Sequence, residues 1–150
     1  MEKEMLALVD ALLKTPCYLM DFLPEQVSAN SNGQFFEVES YLLHSPHHAE
    51  LKSRFVRAIL KILCYDHAVM LWGKSIDRPT PSQVEEAIDA VFSCGSGGLT
   101  LLFPDELALL VFNWDDLHLS VYNPPEAMQR RLKAIAASEG LFWREAVHEE

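Results

Sequence analysis

Cys64, Asp66 and His67 fall within four consecutive residues, "CYDH". A thiol beside an imidazole is the minimal nucleophilic pair: the imidazole takes the proton and the thiolate attacks. The pair works only if the two side chains meet. Cys64, however, closes an apolar helical stretch, where a cysteine packs as a small hydrophobe. His67 there would instead neighbour a helix C-terminus, whose partial negative charge suits imidazole.

The stretch "SCGSGGLT" at 93–100 offers a second nucleophile, Ser96, among glycines. A phosphate-binding loop places its glycines after a strand and before a helix, so that amide N–H groups and the helix dipole converge on the anion. Here the order is helix, glycines, strand, and the C-terminal end of a helix presents carbonyls. A serine nucleophile also needs a His, an Asp and an oxyanion pocket brought in from elsewhere. The stretch therefore reads as a turn, with Gly95 in a left-handed helix cap and Gly97 and Gly98 leading the chain into a strand.

His44, His47, His48 and Glu50 are the densest group of metal-ligating types. Only His44 and His48 have the i, i+4 spacing of a helical ligand pair, and Pro46 between them opposes one continuous helix. No metal or other cofactor is expected. The acid pairs Asp105-Glu106 and Asp115-Asp116 have the residue types of a glycosidase, which needs its two carboxyls within about 5–9.5 Å. A strand over 107–113 would hold the pairs about 23 Å apart. They read instead as turn residues that blunt the rim of a sheet. Asp21 stands inside the apolar run "CYLMDFL". A carboxylate there either faces water at a sheet edge or meets Arg54, Arg57 or Lys61; the edge position is the expectation.

The elements that would position these groups follow from periodicity. Residues 3–14 repeat apolar positions at helical spacing, and Pro16 ends them. "CYLMDFL" reads as a strand and the Asn/Ser/Gly-rich segment after it as a loop. "FFEVESYLL", 35–43, fits two periods: Phe36, Val38 and Ser40 alternate with charges as in a strand, while Phe35, Val38 and Leu42 also fit a helix; a strand entering a short turn is the expectation. Ser45-Pro46 opens a helix over 46–64 whose wide apolar face suits a central position against a sheet. "AVMLW" is a strand stopped by Gly73. Thr80, Pro81 and Gln83 form a capping box for the next helix. "LTLLF", "LALLVFN" and "HLSVY" form a meander, its middle strand apolar on both faces and hence central. Asn123 caps a last helix, Gly140 stops it, and "LFWRE" adds a short strand. The sum is an α+β fold: one domain over residues 1–150, a mostly antiparallel sheet with about four helices packed on it.

The chain has 150 residues, 49% of them hydrophobic and 23% charged, with a net charge of −10. Such a chain can bury a core without metals or disulfides. Residues 1–75 carry net −2 and residues 76–150 net −8. That acidity repels phosphate backbones and argues against nucleic-acid binding, and it favours a basic protein partner. The N-terminal residues lack the positive region of a signal peptide, and the longest apolar stretch is broken by Pro104, Asp105 and Glu106. No membrane span and a cytoplasmic location with reduced thiols are expected. With no convergent catalytic set, the expected role is a small non-catalytic interaction or accessory protein. Its partner would meet Asp105, Glu106, Asp115 and Asp116. The alternative is a small hydrolase or transferase with a pocket near Cys64, Asp66 and His67, or near Ser96.

Overall fold

A computed structural model describes residues 2–28, 33–94, 97–113 and 118–146. In chain order the elements are α1 (Glu2–Leu12), β1 (Cys17–Asp21), α2 (Gln34–His44), α3 (His47–Leu63), β2 (Val69–Trp72), β3 (Lys74–Asp77), α4 (Pro81–Cys94), β4 (Gly98–Phe103), β5 (Ala108–Asn113), β6 (His118–Tyr122), α5 (Glu126–Ser138) and β7 (Phe142–Glu145). The seven strands form one sheet in the order β3-β2-β4-β5-β6-β1-β7, and every pairing is antiparallel. The class is thus mixed helix and strand, roughly α+β, with five helices among the described residues rather than about four.

Alternation along the strands builds a core on each face of the sheet. In β4, Leu99, Leu101 and Phe103 join Phe55, Ile59 and Ile62 of α3, Val84 and Ile88 of α4, and Met128 and Leu132 of α5. Leu102, with Leu109 and Val111 of β5, points the other way and is covered by Met5, Leu8, Val9 and Leu12 of α1. The middle strand of the meander is therefore covered on both faces, as its two-sided apolar pattern requires. The wide stripe of α3 is the centre of the larger core, and its Arg57 and Lys61 reach across to Glu139, both at 2.7 Å. Burial alone would raise the Glu139 carboxyl; the bonds from Lys61 and Arg57 outweigh it and hold the group below the usual carboxylate range.

Local signals act where they were expected at two helix ends. The Gln83 N–H donates to Thr80 Oγ1 at 3.2 Å, and the Thr80 N–H donates to Gln83 Oε1 at 2.9 Å. At the end of α5, Gly140 takes φ 71°; its N–H donates to Ala137 O at 3.2 Å and that of Leu141 to Ala136 O at 2.8 Å. This double bond is the Schellman stop.

Three expectations fail, and one strand was not anticipated. Residues 35–43 are helical, not a strand: Phe35, Glu39, Leu42 and Leu43 are the half-buried positions of α2, a helical stripe of i, i+4, i+7 and i+8 that alternation on paper had masked. β3 is a mostly exposed edge strand in which Ile76 alone packs against the core, too little to show as alternation. Asn123 is not a helix cap; it sits at φ 58° and donates from Nδ2 to Leu107 O at 2.9 Å, tying β6 to the β4–β5 turn. Asp21 is neither at an edge nor paired with α3. β1 lies between β6 and β7, so Asp21 is buried, and its partner is Arg144 of β7 at 2.8 Å. Among the described residues no helix is long and apolar enough to cross a membrane.

Candidate functional site

The register divides the site residues between two ends of the sheet. The β4–β5 turn, the first residue of β2 and the last residues of β3 and β6 share one end: Leu102 pairs with Val69 and Leu109, Val69 with Asp77, and Leu109 with Tyr122. The loop 64–68, which joins α3 to β2, arrives at the same end.

Asp105 and Glu106 occupy that turn. Asp105 is exposed, and Leu107 beyond them adopts φ 54° with half its surface in water. Glu106 turns toward Asp66. Burial raises the Glu106 carboxyl above its ordinary value, and the bond to Asp66 and the charges of Asp66 and Asp105 raise it further. Its Oε2 is shielded from solvent and no donor among the described residues faces it. A proton on Glu106 resolves both observations, because a carboxylic acid can donate to a neighbouring carboxylate whereas two carboxylates repel. Asp66 itself is buried, and Arg131 of α5 donates to it from Nη2 at 2.6 Å. The same guanidinium lies 5.4 Å from the centre of the exposed Tyr65 ring, within cation–π range.

His67 bridges two further acids. Its Nε2 is 2.5 Å from Asp77 Oδ1 and its Nδ1 is 3.9 Å from Asp105 Oδ2. The bond from His67 holds the Asp77 carboxyl below the usual range. The side chains of Asp77 and Asp105 remain 67% and 74% exposed, so their charges act on solvent and on anything that approaches. Arg78, exposed beside Asp77, is the nearest opposing charge in sequence.

The three residues of "CYDH" thus face three different partners: Asp66 faces Arg131, His67 faces Asp77, and the Cys64 thiol lies 3.5 Å from its own helix carbonyl, Leu60 O. The structure does not bring Cys64 and His67 into a nucleophilic pair. Nor is Cys64 packed as a small hydrophobe. It is exposed, two residues past Ile62 and off the buried stripe of α3, whereas Cys17 is the buried thiol and its burial pushes its pKa up. Ser96 and Gly95 lie outside the described residues; on either side of them α4 ends at Cys94 and β4 begins at Gly98, the helix-to-strand order of a turn. Asp115 and Asp116 also lie outside the described residues, with the six-residue β5 between them and Asp105-Glu106.

The histidine group disperses. His44 Nδ1 meets Ser40 O at 2.8 Å, while His48 packs edge-on against Phe92, with ring centres 4.5 Å apart. Burial, then the charges of Lys52 and His44, lower the His48 pKa, as expected of an imidazole that fills space. Among the described residues no group of three or more His, Cys, Asp or Glu could hold a metal ion.

Sequence reasoning missed Asp77, Arg131 and Tyr65. None has a local signature; only the pairing of β2 with β3 and the packing of α5 bring them to this end. Compared with protein-family models, with curated proteins and with solved structures, the chain finds no match in any of the three.

Proposed function

We propose that the protein is a non-catalytic interaction or accessory domain that receives a basic protein partner on the acidic end of its sheet. One observation carries the reading. Asp77 and Asp105, from different strands and turns, converge on His67 and yet keep their carboxylates in water. A fixed, exposed negative field steers a cationic partner and selects against anionic ones, nucleic acid included. Tyr65 and Leu107, both large and more than half exposed, stand beside the acids. An aromatic and an aliphatic side chain within a charged rim is the composition of a protein-binding patch. Asp115 and Asp116 follow the far end of β5, so the reading rests on Asp77 and Asp105. One cooperative unit over residues 1–150 suits a core shared by elements from α1 to β7, and a reducing, cytoplasmic setting suits the free thiols of Cys17 and Cys64.

The test is retrieval of partners from native lysate on the immobilised protein, in parallel with the Asp77→Asn/Asp105→Asn variant and at two salt concentrations. The reading expects a basic protein held by the parent chain and lost from the variant and at high salt, since exposed charges are screened beyond about 10 Å at 0.1 M. Equal retention by parent and variant would remove the acidic end as the binding surface.

A further inference from the structure

β3 ends the sheet, and its far side pairs with no strand among the described residues. Antiparallel pairing alternates, so every second residue of an edge strand turns its main-chain N–H and C=O away from its neighbour. The Arg78 N–H donates to Ala68 O at 3.1 Å. That bond fixes the phase: the Val69–Asp77 and Leu71–Ser75 pairs are the ones that exchange no bonds. Ser75 and Asp77 therefore present their main-chain groups outward, and both residues are exposed. An open edge of this kind is a template for an added strand.

The side chains beside the edge differ at its two ends. Ser75 and Asp77 pair with Leu71 and Val69, and Val69 pairs with Leu102, so all lie on the face that α1 covers. At the Ser75 end a groove of about 270 Å³ separates α1 from the β2–β3 hairpin, lined by Met5, Leu6, Leu71, Trp72, Lys74 and Ser75. Lys74 is the one charge among its lining residues. At the other end the Asp77 carboxylate is held by His67 and kept in water.

Charge and register select the occupant. When β3 pairs antiparallel with β3 of a second copy, Ser75 of one faces Asp77 of the other, and Lys74 of one falls opposite Arg78 of the other. Like charges directly opposite one another are destabilising. A segment of a different protein meets no such clash. Opposite Asp77 it needs a cation; opposite Ser75 it needs an apolar side chain that enters the groove. Those two positions are two residues apart, the spacing that places side chains on one face. Lys74 repels a cation from the groove end, which fixes their order. Every pairing in this sheet is antiparallel. We infer that β3 takes up an extended segment of a basic partner as an added antiparallel strand, with a Lys or Arg at Asp77 and, two residues later, an apolar side chain in the groove of Met5 and Leu71. The inference rests on the acidic-end reading and adds to it the form of the partner.

The probe is a capped, threonine-rich peptide with lysine, threonine and leucine in that order at its centre, titrated by NMR against the labelled full chain. Saturable amide shifts are expected at Ser75 and Asp77, with side-chain shifts at Met5 and Leu71. Serine in place of the leucine should weaken binding roughly tenfold, the scale of burying one aliphatic side chain. Glutamate in place of the lysine should weaken it roughly fivefold, the scale of an exposed charge pair. Methylating the backbone nitrogens of the lysine and leucine, which would donate to β3, should abolish binding. Ser75→Pro should do the same from the other side, since it removes an outward N–H that the sheet does not use. That variant keeps both acidic charges. A basic protein lost from Asp77→Asn/Asp105→Asn but retained by Ser75→Pro would overturn strand addition and leave the acidic-end reading standing; one retained by both would remove both. Undiminished binding of the methylated peptide, or self-association of the chain that Ser75→Pro abolishes, would also overturn it. The methylated peptide decides the question even if Ser75→Pro fails to fold.

Discussion

The two ends of the sheet hold the same residue types in opposite states. At the acidic end, Asp77 and Asp105 stand in water beside His67, while Asp66, against Arg131, and its neighbour Glu106 are withdrawn. At the opposite end, where a cavity opens beside β1, Asp21 and Arg144 are both withdrawn, and the wall around them mixes apolar with charged residues. The difference comes from strand position. β1 is flanked on both sides, so a carboxylate on it loses its water and must find a cation. β3 is the sheet edge and 104–107 is a turn, so carboxylates there keep theirs. Exposed charge acts at long range and costs little to remove. Buried charge acts at contact range, and removing one member is severe.

The largest expected effect follows from that contrast. Arg144→Ala leaves Asp21 buried without its cation and should destabilise the fold by about 3 kcal/mol, measured by urea unfolding. Asp21→Asn/Arg144→Gln should recover most of the loss, because the charge is gone with its partner. If Arg144→Ala cost no more than a surface substitution, Asp21 would have access to water and the contrast between the ends would collapse.

Arg131→Ala should fall between the extremes. Its side chain is 36% exposed while that of Asp66 is 4% exposed, so water replaces part of what is lost. A cost of about 1–2 kcal/mol is expected, below the full cost of an orphaned buried charge. The same variant should shift the Glu106 titration, because it changes the charge balance around Asp66; carboxyl NMR would report it.

Glu106 sharpens the comparison through pH. Its folded pKa is raised by burial and then by Asp66. The stability it contributes is therefore complete below the ordinary glutamate value and is lost as pH rises through the raised one. Glu106→Gln keeps a donor toward Asp66 at every pH. Acid-side stability should be unchanged, and neutral-side stability should rise by about 1 kcal/mol, the net worth of one hydrogen bond. Unfolding curves for the two proteins should converge on acidification. Parallel curves would mean that Glu106 and Asp66 do not share a proton.

How much of this was legible follows the range of the signal. Helix α3, the Thr80–Gln83 box, the Gly140 stop and the meander are written in residues a few positions apart, and local chemistry decided them. Residues 35–43 were misread because two periods fit the same nine residues, and only packing against α3 selects the helical one. The sequence favours an edge position for Asp21, because its partner Arg144 lies more than a hundred positions away and is reached only through the β1–β7 pairing. The acidic end was half visible. Asp105 and Glu106 are adjacent in sequence, whereas Asp77 joins them through an edge strand whose sequence, KSID, gives no apolar alternation. Cys64 was judged by its apolar neighbours Leu60 and Leu63. The buried stripe of α3 runs through Phe55, Ala58, Ile59 and Ile62, and Cys64, two residues on, lies off it.

The smallest expected effect on stability belongs to the most functional-looking pair. Asp77→Asn/Asp105→Asn removes two exposed charges, and surface changes of that kind leave stability nearly where it was. The sign is set by competition. Asn at 77 gives up the ionic part of the bond from His67, which destabilises slightly; neutralising 105 removes one of the charges that keep Glu106 from ionising, which stabilises slightly. The two changes oppose each other, so unfolding should barely move. Binding should move far more. Rim charges act on encounter, so a basic partner should associate more slowly with the variant and dissociate at nearly its original rate. Salt should reproduce the effect on the parent chain and leave the variant almost insensitive. Stopped-flow association at two ionic strengths separates these cases. A variant that dissociates much faster while associating normally would show that Asp77 and Asp105 are desolvated in the complex. The acidic end would then resemble the cavity end, with its charges buried by the partner rather than by the fold.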